Sequence, residues 1–439
     1  MKSINYFLSI IISILFFSSS LIAEEKVKSD EKKDKSSLYS GLKFRSIGPA
    51  LMSGRISDIV IHPENENVWY VTAGSGGVWK TENSGTSWNS IFDGQKSYSI
   101  GCITLDPQNP NVVWVGTGEN VGGRHVAYGD GIYKSEDGGK SWKNMGLKKS
   151  EHISKIIVHP KNNKILWVAS QGPLWSSGGE RGIYKTTDGG KTWTQTLGDS
   201  EWIGATDLLM DPRNPNHLYA ATWQRHRTVA GYMGGGPGTG IYKSTDGGES
   251  WQELKKGLPK SNMGKIGLVL SPQNSDVIYA AIELDRRTGG VYRSDDQGAN
   301  WKKMSDAVAG GTGPHYYQEL YASPHNEGEI YLADNYMQVS YDGGKTFVRM
   351  NETEKHVDNH AVAFKMSDPN YILVGCDGGL YESFDRTKNW KFIDNLPLTQ
   401  FYKIAVDDAE PFYNVYGGTQ DNNTQGAPSR TSHSPSLKM

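Results

Sequence analysis

Short apolar runs alternate with polar turns along nearly the whole chain, always in the same order. A unit opens with an apolar strand such as Ile100-Gly101-Cys102-Ile103-Thr104-Leu105. A turn rich in Pro and Asn follows, Asp106-Pro107-Gln108-Asn109-Pro110-Asn111, and then a second strand, Val112-Val113-Trp114-Val115-Gly116. A loop of variable length leads to a third strand, Gly131-Ile132-Tyr133-Lys134, and a tight turn leads to a fourth. Pro is confined to turns and strand starts, where no ladder hydrogen bond is lost. No long stretch carries a helical period. The strand–Pro turn–strand signature occurs eight times, opening near Ile56, Ile100, Ile153, Ala205, Ile266, Tyr317, Ala361 and Phe401.

The turn between third and fourth strands is a repeated box, Ser/Thr-x-Asp-x-Gly-x-x-Trp. It stands at Ser135–Trp142, Thr186–Trp193, Ser244–Trp251 and Ser294–Trp301. Weaker copies stand at Thr81–Trp88 with Asn83, at Ser340–Phe347, and at Ser383–Trp390 with Thr387. The closing aromatics recur every 45–55 residues or so, the period of propeller blades. The chemistry of the box accounts for its spacing. Asp accepts hydrogen bonds from loop amides, Gly supplies a positive φ, and the Ser/Thr and Trp pack beneath the turn. Asp137, Asp188, Asp246, Asp296, Asp342 and Asp385 are therefore read as structural residues. The pattern predicts an all-β propeller of four-stranded antiparallel blades, seven full and an eighth partial. The segment Leu42–Ile47 reads as a fourth strand without its box, expected to pair with the last blade and close the ring.

Composition adds limits. The 439 residues carry a formal charge of −2, which gives no electrostatic case for nucleic acid. The two cysteines, Cys102 and Cys376, lie in distant repeats, so no disulfide framework is expected. Lys2, the apolar run Phe7–Phe17 and the small residues up to Ala23 read as a secretory signal peptide over residues 1–23. The apolar run is short for a bilayer span. Residues 24–40 read as a charged, disordered leader, 41–425 as the propeller and 426–439 as a polar tail. The expected location is periplasmic, surface-held or extracellular, with no membrane span after signal cleavage.

The box resembles the Asp-box, or bacterial neuraminidase repeat, of sialidases, xyloglucanases and the sortilin propeller. Across residues 42 to about 430 the chain resembles the sortilin-N-terminal-like Asp-box proteins of bacteria. The resemblance rests on Leu42–Pro49, Met52–Ile56, Gly116–Asn120, His356–His360, Asn414–Asn422 and Gly426–Arg430. It implies a propeller with a protein, peptide or glycan ligand, no cofactor, and a second propeller in longer relatives. The opening also resembles two-propeller xyloglucanases. In that family a Thr-Asp-x-Gly-Gly segment supplies a catalytic Asp, and the partner acid comes from the second propeller. The matching run here is Val71-Thr72-Ala73-Gly74-Ser75-Gly76-Gly77, with Gly74 where the acid falls. The Arg-Ile-Pro segment of sialidases is absent from the start of the repeats.

In this strand order the boxes share one face with the Pro turns, and the loops after second strands share the other. Binding residues are expected on that second face. Its long loops carry Arg124, His125, Trp175, Arg181, Trp223, Arg225 and His226, and Tyr316 precedes the sixth blade. Arg and aromatics mixed in this way suit a sugar or a peptide. His356-x-Asp358-x-His360 is a weaker metal candidate, since alternate residues of a strand point one way. No nucleophile elbow or calcium-loop spacing occurs. The reading is an exported binding or scaffold propeller. The alternative is a glycoside hydrolase acting on β-glucan or xyloglucan, with Glu119, Asp358 or Asp421 replacing the missing acid. A hydrolase requires two carboxylates converging in one cleft, whereas a binder requires an aromatic and Arg platform.

Overall fold

The computed structural model describes residues 41, 47–124, 126–198, 200–285, 288–310, 313 and 315–430. These residues form no α-helix, and every extended sheet is antiparallel. Seven four-stranded sheets succeed one another along the chain. Their first strands are Ile56–Ile61, Ile100–Asp106, Ile153–Val158, Ile203–Met210, Ile266–Leu270, Leu320–Ala322 and Asn359–Phe364. The fold is the β-propeller that the repeat period implies. Three starts differ from the sequence reading, the seventh opening at Asn359 rather than Ala361. The fourth unit opens at Ile203 rather than Ala205, and the sixth at Leu320 rather than Tyr317, which lies in the loop before it.

The core is distributed between the sheets. Seven apolar clusters each join two sheets, and one joins the seventh sheet back to the first. In that closing cluster Ile56, Trp69 and Val71 pack on Ala361, Tyr371 and Leu373. Closure of the ring is thus a side-chain interface. Residues 42–46, expected to close it as a shared strand, lie outside the described residues.

The box tryptophans extend these interfaces. Trp142 Nε1 donates to Ile91 O at 2.6 Å, Trp193 to Met145 O at 2.8 Å, and Trp390 to Asn351 O at 2.7 Å. Each acceptor belongs to the preceding blade. Trp88 of the first blade reaches Asn395 Oδ1, beyond the seventh, at 3.2 Å. The box is therefore a hairpin turn whose Trp fastens one blade to its neighbour, more than the packing beneath the turn read from sequence. Its Asp acts as expected. Asp188 Oδ1 accepts from Thr186 Oγ1 at 2.8 Å and from the Thr192 amide at 3.0 Å. The Asp137, Asp246, Asp296, Asp342 and Asp385 carboxylates repeat this pattern. These hydrogen bonds hold all six carboxyls below their ordinary range.

Beyond the seventh sheet lies a three-stranded one, Phe401–Val406, Asn414–Thr419 and Thr424–Pro428. The third of these strands runs to Pro428, past residue 426 where the sequence reading begins a polar tail. This partial blade joins none of the seven apolar clusters, and its first strand is exposed at every position. The first and seventh sheets meet directly in the closing cluster, so this partial blade does not lie between them. Cys102 and Cys376 are both free and buried.

Many first strands begin with the same irregularity. The register slips by one residue at Ser57, Gly101, Ser154, Thr206, His360 and Tyr402. A bulge of this kind bends the strand and re-aims the extra side chain. In the last two cases that side chain is large and polar.

The distributed core gives a prediction. Ile56→Ala, at a fully buried closing position, is expected to cost about 2–5 kcal/mol. Ile404→Ala, on the exposed strand, is expected to stay within about 0.5 kcal/mol. Urea denaturation of both variants measures the contrast, and equal losses would contradict it.

Candidate functional site

Within two residues of the ends of second strands stand Gly74, Glu119, Asp377 and, in the partial blade, Asp421. Arg55 immediately precedes the first strand of the first blade. Gly54 sets its direction with φ +109, a conformation that disfavours any side chain, and its amide donates to Asp377 O at 3.2 Å. The Arg55 side chain, 2 % exposed, then bridges two buried acids. Its Nη1 donates to Glu119 Oε1 at 2.8 Å. Its Nε and Nη2 donate to the two oxygens of Asp377, at 2.7 and 3.0 Å. One guanidinium thus ties the first, second and seventh blades together on the face opposite the boxes. Planar, bidentate geometry of this kind is available to Arg and not to Lys.

The bulged His360 places Nε2 2.8 Å from Asp377 Oδ1. Burial raises the Asp377 carboxyl, but Arg55 and His360 more than reverse this and hold it well below the carboxylate range. Asp358 has φ +65, which breaks the extended backbone before the strand begins at Asn359. It accepts from Tyr317 Oη at 2.5 Å and from Asn335 Nδ2 at 2.6 Å. Asp421, also left-handed with φ +53, arrives from the partial blade. Oxygens of Asp358, Asp377 and Asp421 all lie within 4.8 Å of one another. Burial, and after it the neighbouring Asp377 and Asp358 carboxylates, raise the Asp421 carboxyl despite a hydrogen bond from Gln420. Asp377 and Asp421 are therefore shifted in opposite directions.

Two tyrosines frame the group. The Tyr316 ring faces the Arg55 guanidinium carbon at 5.6 Å from its centroid. Burial pushes the Tyr316 hydroxyl up to about 12, with Arg55 opposing. Tyr402, the bulge residue of the partial blade, is 56 % exposed. Burial, then Asp421, raises its hydroxyl.

Several expectations require correction. His356, Asp358 and His360 do not share one face of a strand. His356 Nδ1 pairs with Val357 O, His360 turns to Asp377, and Asp358 joins the other acids. Arg181, Trp223 and Arg225 are buried and serve loop carbonyls. Arg181 donates to carbonyls of Gln171 and Gly178 and the Trp223 indole to Gly234, each within its own loop, whereas Arg225 donates to Val121 and Gly172 in the loops of the second and third blades. His226 packs on Trp202 with centroids 4.0 Å apart. Arg124 and Trp175 are exposed, and His125 lies outside the described residues. Tyr316, Glu119, Asp358 and Asp421 are brought together as one neighbourhood, though Glu119 is buried in an ion pair.

Glu119 also occupies a telling place. A Cβ built on Gly74 would overlap its carboxylate Oε1. The buried acid of the second blade thus fills the space a side chain at position 74 would enter. Sequence reasoning missed Arg55, Asp377 and Tyr402 because it searched the long loops. The available signal was the acid placed directly after a second strand, as in Gly375-Cys376-Asp377.

Residues 130–286 and 289–431, more than half of the chain, match the family described as sortilin and neurotensin receptor 3, Sortilin-Vps10. The chain belongs to the Sortilin-Vps10 family. Among curated proteins it is similar to a xyloglucanase of Hypocrea jecorina (strain QM6a), 24 % identical over 57 % of this chain and 32 % of that protein. It is likewise similar to a xyloglucanase of a Paenibacillus species, 28 % identical over 49 % of this chain and 19 % of that protein. It spans a third or less of the length of these relatives. Its fold is similar to that of the GH74 xyloglucanase from Xanthomonas campestris, with TM-score 0.62 and 14 % identity over 86 % of this chain and 59 % of that one.

The electrostatics of the acid group set two expectations. Arg55→Met is expected to cost about 3–5 kcal/mol, because two buried carboxylates lose their cation. Asp421→Asn is expected to raise the melting temperature at neutral pH. A raised carboxyl contributes stability below its unfolded value of about 3.9 and loses it as pH rises. The gain should vanish below about pH 3.9, and melting curves at both pH values check the sign.

Proposed function

We propose that the chain is an exported glycan-binding propeller. Its ligand sits on the face formed by Asp421, Asp358, Tyr316 and Tyr402. The supporting observation is the close contact among the acids. Carboxylate oxygens of Asp358, Asp377 and Asp421 within 4.8 Å leave no room for a sugar bond between them. Glycosidases need carboxyl groups roughly 5–9.5 Å apart with the scissile bond in the gap. The Glu119–Asp377 gap is filled by Arg55. Exposed carboxylate oxygens beside tyrosine rings instead accept hydrogen bonds from ligand hydroxyls and cover their apolar faces. The xyloglucanase relatives favour a β-glucan as ligand. The apolar run before Ala23 supports export.

A second reading, glycoside hydrolysis, draws on two observations. Glu119 stands where a residue-74 acid would project, and the Asp421 carboxyl is raised as a general acid requires. Calorimetric titration with xyloglucan oligosaccharides, followed by mass spectrometry of the same samples, separates the two. Binding without fragments is expected, with Tyr402→Ala weakening affinity about tenfold, or 1.4 kcal/mol. Fragments that disappear in Asp421→Asn would establish hydrolysis instead.

A further inference from the structure

Beside the acid group, on the fourth to sixth blades, lies a cleft of about 460 Å³ lined by Tyr232, Asn262, Glu283, Asp285 and His315. Tyr232 belongs to a two-stranded hairpin, His226–Arg227 with Tyr232–Met233, inserted between the second and third strands of the fourth blade. Gly235 and Gly264 line the cleft with backbone alone. A Cβ on Gly235 would meet Met263 O at 2.5 Å, and one on Gly264 would overlap the Glu283 carboxylate. Side chains at these two positions would clash with the surrounding wall, so the cleft depends on their absence.

A continuous row of rings connects this cleft to the acid group. Tyr232 meets His315 at 5.0 Å between centroids, and His315 meets Tyr316 at 5.1 Å. Tyr316 meets Tyr317 at 6.1 Å, and Tyr317 stacks on His360 at 5.3 Å. His360 then reaches Asp377. At the other end the Arg227 guanidinium covers Tyr232 at 4.3 Å. Edge-to-face and offset ring pairs prefer such spacings and fix the rings against one another. The cleft and the acid group are therefore held at a set separation by packed rings.

We infer that the cleft at Tyr232, Asn262, Glu283 and His315 is a second subsite for the same ligand, so the ligand is an extended chain of several sugar units. This rests on the glycan reading above. An amide, two carboxylates and two ring edges offer donors, acceptors and apolar surface to neutral hydroxyl-rich units, and the acids disfavour an anionic chain.

The test is a length series. A xyloglucan oligosaccharide with a single backbone repeat and one with two repeats are titrated into residues 24–439 by calorimetry. The expected result is at least tenfold tighter binding of the longer ligand, with Asn262→Ala bringing the long-to-short ratio close to one. His315→Ala, which shortens the ring row, should lower the same ratio. Asn262 is exposed, so its variant should keep the parental melting temperature. Equal affinity for both lengths would overturn the second subsite and leave the glycan reading standing. Absence of binding at either length, with a basic peptide bound instead, would overturn both.

Discussion

A single guanidinium carries the architecture of the loop face. Arg55 is buried with Glu119 on one side and Asp377 on the other, and these acids come from the second and seventh blades. The apolar clusters hold neighbouring blades together around the ring, but they have no direction. Charged, bidentate hydrogen bonds do have direction, and they fix how the loops of three blades meet. The arrangement is costly to assemble, since three charges leave water, and it is stable only when all three are present. Once formed, it dictates the chemistry around it. Asp377 is committed to Arg55 and His360, and the acids that face outward are Asp358 and Asp421.

The propeller was legible in the sequence because each blade repeats the same local grammar. Box Asp residues, Pro turns and alternating apolar strands act over a few residues, and short-range chemistry can be read directly. The loop face was legible only in outline. Glu119, Asp358, Asp421 and Tyr316 were named from loops and acids, and the structure gathers them. Arg181, Trp223 and Arg225 were named by the same reasoning and are buried, because loop carbonyls need donors, supplied within the loop by Arg181 and Trp223 and across blades by Arg225. Residue type alone does not separate a ligand-facing Arg from one that holds a loop. His356, Asp358 and His360 failed as a row for a different reason. The left-handed Asp358 and the bulge at His360 break the strand period on which the row depended.

The bulges link fold to site. An extra residue at the start of a first strand is small in the first four blades, where Ser57, Gly101, Ser154 or Thr206 fills it. In the seventh blade and in the partial blade the same slot holds His360 and Tyr402, and both face the acid group. A repeated backbone irregularity thus becomes specific through the side chain placed on it. The partial blade brings Tyr402 and Asp421 to this face while remaining outside the shared core, so residues of the site stand on a sheet with little buried support.

Hydrogen–deuterium exchange with and without a xyloglucan oligosaccharide tests the location of the site most directly. The account predicts slower exchange in peptides spanning Tyr316–Gln318, His356–His360, Phe401–Lys403 and Thr419–Asn422, with the box loops around Asp188 and Asp246 unchanged. Protection confined to the box face, or none in these four segments under conditions where the oligosaccharide binds, would contradict it.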